Sequence, residues 1–144
     1  TNKLRVFVDT NVLISAVLSP SSVSRKFINF VSNNHHLLIS EYTIEEVFIV
    51  IERKFPHLVN RWDGLMSSLD FELIVIPDPI DFHVPIRDPK DIPILATAMA
   101  AEPPVDVIVT GDLKHFHTAD NQSLFPVYTP GEFLRNFKQD RNFV

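Results

Sequence analysis

The sequence predicts an α/β fold with a parallel sheet, and three observations carry that prediction. Strand-like and helix-like apolar patterns alternate along the whole chain, which favours α/β over all-α or all-β architecture. The 144 residues, 45% of them hydrophobic, suit a single domain spanning 1-144 with one real core. Carboxylates recur where a strand ends or a helix begins, as expected of a sheet whose chemistry lies beyond its strand ends.

The elements follow in order. The run Leu4-Arg5-Val6-Phe7-Val8 reads as a buried strand. A short helix over about 11 to 18 stops at Ser19-Pro20, and a second, over about 22 to 33, places Val23, Phe27, Phe30 and Val31 on one face before Asn33-Asn34. A short strand at 37 to 39 ends at Ser40, which caps a helix running to about Lys54, with Pro56 just beyond. A helix near 57 to 69 has Leu58, Trp62, Leu65 and Leu69 as its apolar side. The strand 72 to 76 enters a proline-bearing loop, about 77 to 87. Helix 89 to 101, strand 105 to 109, a short helical piece after Asp112, strand 126 to 128 and helix 130 to 138 complete the chain. The last helix opens with Thr129 as N-cap, Pro130 at the first position and Glu132 as the capping-box acid.

Composition narrows the function classes. No apolar stretch approaches the roughly 18 to 20 residues of a membrane span, and no basic-then-apolar leader opens the sequence. Zero cysteines exclude disulfides and thiolate metal sites, so a cytoplasmic setting is expected. The net charge of −5 looks wrong for a nucleic-acid binder, yet setting aside Asp9, Glu46, Asp91 and Asp112 leaves 14 acidic against 13 basic side chains. A metal held by those acids would invert the local sign, so a phosphodiester substrate stays admissible.

Those four acids are the candidate site. Asp9 ends the first strand and precedes Thr10-Asn11, where it serves equally as an N-cap and as a carboxylate at the mouth of the sheet, with Asn11 able to orient it or a bound water. Glu46 stands at the edge of a buried stripe containing Val47, Val50 and Ile51, although Thr43-x-x-Glu46 also fits a capping box. In Arg87-Asp88-Pro89-Lys90-Asp91, Asp88 reads as an N-cap, and Asp91 fits both a capping-box acid and a first-turn carboxylate facing the crevice. Asp112 follows Thr110-Gly111, where glycine allows close backbone approach or positive φ and Thr110 offers a hydroxyl to the same cleft. Four acids meeting in one crevice need a cation, and ligation by oxygen alone favours Mg²⁺ or Mn²⁺. His35 and His36, being adjacent, point apart, and His115-x-His117 would converge only on a strand, which the pattern does not predict there, so both pairs read as surface or loop residues.

With these motifs in order, the sequence resembles the PIN-domain family of metal-dependent ribonucleases, in the branch of toxin components of bacterial and archaeal toxin–antitoxin pairs. The resemblance covers essentially the whole chain. It rests on Val6-Phe7-Val8-Asp9-Thr10-Asn11-Val12-Leu13, Ile39-Ser40 through Glu46, Arg87-Asp88-Pro89-Lys90-Asp91 with Ile94-Leu95-Ala96-Thr97-Ala98, Val109-Thr110-Gly111-Asp112 and the closing Tyr128-Thr129-Pro130-Gly131-Glu132-Phe133-Leu134. It implies a PIN-like three-layer α/β/α sandwich with a central parallel sheet, strands 2, 1 and 4 side by side. It also implies an acidic quartet at Asp9, Glu46, Asp91 and Asp112, supported by Asn11 and Thr110.

The implied activity is endoribonucleolytic, with one or two Mg²⁺ or Mn²⁺ ions. Asp9 and Asp112 are the expected direct ligands, Asp91 completes the site, and Glu46 ligates through water or acts as base. Arg25, Arg53, Lys90 and Lys114 are candidates for positioning RNA phosphates. The implied partners are RNA, a small antitoxin protein covering the cleft and further copies of the chain in a homodimer or higher homo-oligomer, with no membrane. The competing readings are a PIN-like module that binds RNA or protein without cleaving it, and a phosphoryl-transfer or phosphate-sensing domain with an acidic Mg²⁺ pocket. The last of these generally needs a Lys or Ser/Thr at defined offsets; the chain has Lys114 two residues after Asp112 but no phosphate-accepting motif.

Overall fold

The computed structural model describes residues 3–75, 98, 101–111 and 126–138. Its centre is a five-stranded parallel sheet in the order β3-β2-β1-β4-β5, formed by β1 (Arg5–Val8), β2 (His36–Ser40), β3 (Glu72–Ile74), β4 (Val107–Val109) and β5 (Val127–Tyr128). The expected adjacency of strands 2, 1 and 4 is the one observed. Strand order reverses between β1 and β4, so the topological switch point lies at their carboxyl ends.

Side-chain alternation along the strands divides the core into two layers. Val6, Val8, Leu37, Ile39, Val107 and Val109 face one way, toward the helices α1 (Thr10–Leu18), α2 (Val23–Asn34), α3 (Glu41–Lys54), α4 (Val59–Ser68) and α5 (Pro130–Phe133). Phe7, Leu38, Ile74 and Ile108 face the other way and pack with Ala98, Ala101 and Val105. Register places Phe7 between Leu38 and Ile108, a continuous apolar row across the three central strands. Burying each such side chain stabilises the fold by roughly 1.5–3 kcal/mol. The result is the α/β/α arrangement of a PIN-like fold.

Several element ends depart from the sequence reading for identifiable reasons. Val23 begins α2 exposed rather than on its buried face, which consists of Ser24, Phe27, Ile28 and Val31. β3 stops at Ile74 because its partner β2 turns into α3 immediately after Ser40, leaving Val75 nothing to pair with. β4 begins at Val107; just before it, Asp106 donates its backbone N–H to Arg5 O at 2.9 Å while its carboxylate takes the Arg5 N–H at 2.8 Å. α4 is preceded by a 3₁₀ turn at Pro56–Leu58, and Leu69 lies just past its end. The last helix widens into a π-helical turn at Leu134–Lys138. The loop 77–87, most of the helix 89–101 and the helical piece after Asp112 lie outside the described residues.

His35 is also more structural than a surface reading allows. Its Nδ1 accepts the Leu4 N–H at 3.0 Å, and its ring stands edge-on to Phe30 and Phe133. His36 is exposed.

At the amino ends of the strands, Arg5 binds Glu72 through paired hydrogen bonds of 3.1 and 3.0 Å, tying β1 to β3 across β2. That guanidinium holds the Glu72 carboxyl below its ordinary pKa. A carboxyl whose pKa is lower when folded stabilises the fold above the ordinary carboxylate range, and the contribution is lost as pH falls through the lowered value. Glu72 is about half exposed, at 47%, so the contribution is within about 1 kcal/mol. Glu72→Gln is expected to lower urea stability by that modest amount at neutral pH, the gap from wild type narrowing as pH falls below the ordinary carboxylate range.

Candidate active site

The site is built from the ends of the two central strands. β1 delivers Asp9 directly into the N-cap position of α1, where Oδ1 accepts the Thr10 N–H at 2.7 Å. Asp9 is thus a cap, as its sequence context allows, but its second oxygen is committed elsewhere. Oδ2 accepts the Thr110 hydroxyl at 2.8 Å and the Asn11 side-chain amide at 3.3 Å. Only 6% of Asp9 is exposed, and Thr110 is fully buried. A carboxylate this deep requires such donors, and the helix N-terminus adds favourable field.

Asn11 links the two strand ends. Its Oδ1 accepts the Gly111 N–H at 2.7 Å, while its Nδ2 lies 3.4 Å from Thr110 Oγ1. The ladder continues beneath, with Asp9 N–H on Val109 O and Thr110 N–H on Tyr128 O, each at 3.0 Å. The glycine is explained by close approach, not by positive φ. A Cβ at Gly111 would stand 3.1 Å from Asn11 Oδ1, and no described glycine has positive φ. Because Asn11 is also held by Asp9 and Thr110, it cannot swing away freely. Gly111→Ala is therefore expected to disturb the Asn11–Asp9 bond and reduce cleavage by roughly 10-fold or more, comparable to loss of an outer-shell contact at a metal site. A cleavage time course on the variant checks this.

Glu46 comes from the neighbouring strand's helix. Ser40 ends β2 and caps α3, accepting the Thr43 N–H at 2.9 Å and donating its own hydroxyl to Thr43 Oγ1 at 2.9 Å. Ser40 as the cap places Thr43 at the third helical position, so Thr43-x-x-Glu46 is not a capping box. Glu46 sits in the next turn, half-buried beside the buried Val47, and its Oε2 accepts the Tyr42 hydroxyl at 3.0 Å. Glu45 is exposed. Helical side chains lean toward the helix N-terminus, which directs the Glu46 head back toward the end of β2.

Of the remaining candidates, Arg25 lies in the first turn of α2, half-buried, with its Nε buried and without a hydrogen-bond partner among the described residues. Arg53 is exposed in the last turn of α3. Asp91, Asp112, Lys90, Lys114, His115 and His117 lie outside the described residues.

The donor set decides whether these residues suit a divalent cation. Asp9 and Glu46 offer carboxylate oxygen, Thr110 and Asn11 hold the Asp9 head in one orientation, and the buried hydroxyl of the next residue, Thr10, has no hydrogen-bond partner among the described residues. Such oxygen donors fit a hard ion. Among the described residues, no three or more His, Cys, Asp or Glu side chains form a metal-binding group.

Sequence reading missed Tyr42 and Arg61. Tyr42 carried one usable signal, its i,i+4 spacing from Glu46. Arg61 carried none: its guanidinium Nη1 reaches back from α4 to the carbonyls of Val17 at 3.1 Å and Leu18 at 3.4 Å, closing the end of α1.

An uncharacterized protein of Methanocaldococcus jannaschii, MJ1680, is 25% identical over 152 residues, covering 95% of this chain and 94% of its own. Among solved structures, VapBC2 from Rickettsia felis bound to a promoter DNA fragment matches with a TM-score of 0.64 and 18% identity, over 85% of this chain and 96% of that one. DNA-bound VapBC from Salmonella typhimurium matches with a TM-score of 0.65 and 18% identity, over 88% and 98%. At that identity the likeness is one of fold. The PIN domain family itself matches residues 5–114, and with the Asp9 site at the sheet's switch point the chain belongs to that family.

Proposed function

We propose that the chain is a metal-dependent endoribonuclease and the toxin of a toxin–antitoxin pair. The observation that carries this reading is the buried Asp9 carboxylate at the switch point, fixed by Thr110 and Asn11 from both central strands. A solitary helix cap needs no such cross-strand clamp. Membership of the PIN domain family and the fold shared with VapBC chains support the nuclease and toxin assignments.

Asp9 would hold Mg²⁺ or Mn²⁺ together with Glu46, Asp91 and Asp112. Such an ion, when bound, lowers the pKa of a coordinated water and offsets charge on the scissile phosphate. Thr110 and Asn11 keep the Asp9 oxygens from rotating out of position. Glu46 either holds the ion through a water or takes the attacking water's proton. Arg25, Arg53, Lys90 and Lys114 would position the RNA backbone without reading its sequence. Purified protein incubated with structured and unstructured RNAs tests the assignment: cleavage in Mg²⁺ or Mn²⁺ that EDTA abolishes supports it, and intact RNA under every metal condition refutes it.

The reading includes a small antitoxin partner that covers the cleft, and a homodimer or higher homo-oligomer. Leu18, Val23, Phe48 and Ile49 expose apolar surface on α1, α2 and α3 and are the proposed contacts. Native mass spectrometry of the chain co-expressed with its genomic neighbour is expected to show a complex; the free chain alone would count against the partner.

A further inference from the structure

We propose that Tyr42 is a positioning residue that holds one oxygen of Glu46 so that the other is presented to a divalent cation. This deepens the metal-dependent reading above and rests on it. Tyr42 and Glu46 are one helical turn apart in α3, and the phenol donates to Glu46 Oε2 at 3.0 Å. Glu46 Oε1 accepts no hydrogen bond among the described residues, so the carboxylate is fixed by one oxygen and open at the other.

An i,i+4 tyrosine–glutamate pair on a wet helix face would be an ordinary local contact, with both side chains in solvent. This pair differs in where it is anchored. The Tyr42 ring is half-buried and packs against the second core layer, the one containing Phe7, Leu38, Ile74 and Ile108. The helix bearing it buries Val47 and Ile51 in the opposite layer. Tyr42 therefore reaches over the end of the sheet, and its hydroxyl is positioned by the core rather than by its own rotamer freedom. A glutamate tied to such a fixed donor loses the freedom to swing into solvent. Partners of this kind orient ligating carboxylates, and their loss typically weakens metal binding about 10- to 100-fold.

Tyr42→Phe removes the hydroxyl and keeps the ring. We expect the Mn²⁺ concentration for half-maximal RNA cleavage to rise by about 10- to 100-fold. Turnover at saturating Mn²⁺ should stay within about threefold of wild type, and Mn²⁺ affinity measured directly by electron paramagnetic resonance should fall by the same factor as the half-maximal concentration rises. The Tm in EDTA should be nearly unchanged. Ile74→Val, which loosens the same apolar layer without touching the hydroxyl, should leave Mn²⁺ affinity unaltered. If Tyr42→Phe binds Mn²⁺ like wild type while Glu46→Gln binds it more weakly, the positioning role is overturned and the metal-dependent reading stands. A loss of affinity shared by Ile74→Val also overturns it, since packing alone would then be responsible. If Asp9→Asn and Glu46→Gln both bind Mn²⁺ like wild type, the metal-dependent reading itself fails.

Discussion

Asp9→Asn is expected to remove RNA cleavage and leave the fold standing. Asparagine is as good an N-cap as aspartate, so its oxygen can still accept the Thr10 N–H that Asp9 accepts at 2.7 Å. What disappears is the negative charge and the acceptor oxygen between the Thr110 hydroxyl and the Asn11 amide, leaving a side-chain NH₂ facing the Asn11 donor. Loss of an outer-shell partner at a metal site already costs about 10- to 100-fold, so loss of a direct ligand is expected to exceed about 100-fold in activity. The Tm in EDTA is expected to fall by about 4–12 °C, from the roughly 1–3 kcal/mol of a buried donor left without an acceptor, with the fold retained. Undiminished activity in the variant, with contaminating nuclease excluded, would remove Asp9 from the mechanism.

Phe133→Ala is expected to be the most destabilising single change. Phe133 is fully buried and is the ring on which the carboxyl-terminal helix docks. Its centroid lies 5.3 Å from Phe27 of α2, 5.9 Å from His35 and 4.5 Å from Phe137. Truncating a buried phenylalanine costs about 3–5 kcal/mol, through lost transfer energy and the cavity left behind. Here the cost should sit at the upper end, because the His35 ring is itself held by Leu4 and cannot collapse into the gap. A urea melt reads the change directly, and a loss below about 1 kcal/mol would mean that α5 contributes little to the core.

Much of this was legible in the sequence because it is local. Apolar alternation in Val6-Phe7-Val8 and Val107-Ile108-Val109 marks strands buried on both faces, and the structure divides their side chains between two core layers accordingly. Caps at Ser40 and Thr129 announce their helices within a few residues of chain. What escaped depends on contacts distant in sequence. The Asp106 carboxylate takes the Arg5 N–H, and Arg61 closes α1 from α4, neither of which a local pattern encodes. Val23 has the right spacing for the apolar face of α2, but as the first helical residue it lies beyond the layer that would bury it. At the site, Asp9, Asn11 and Thr110 were readable as polar residues at strand ends, whereas their mutual bonding required the β1–β4 register to be known. Tyr42 was passed over because an aromatic in a first helical turn is usually core, and its ring does pack there while its hydroxyl does not.

The central claim is that Asp9 anchors a divalent ion without which RNA is not cut. Its most direct test is back-titration: EDTA-stripped chain is given increasing Mn²⁺ with one end-labelled RNA, beside Asp9→Asn prepared identically. The account predicts that wild type recovers cleavage as Mn²⁺ rises while the variant stays silent at every concentration. Cleavage by stripped wild type before any metal is added, or equal recovery by Asp9→Asn, would contradict it.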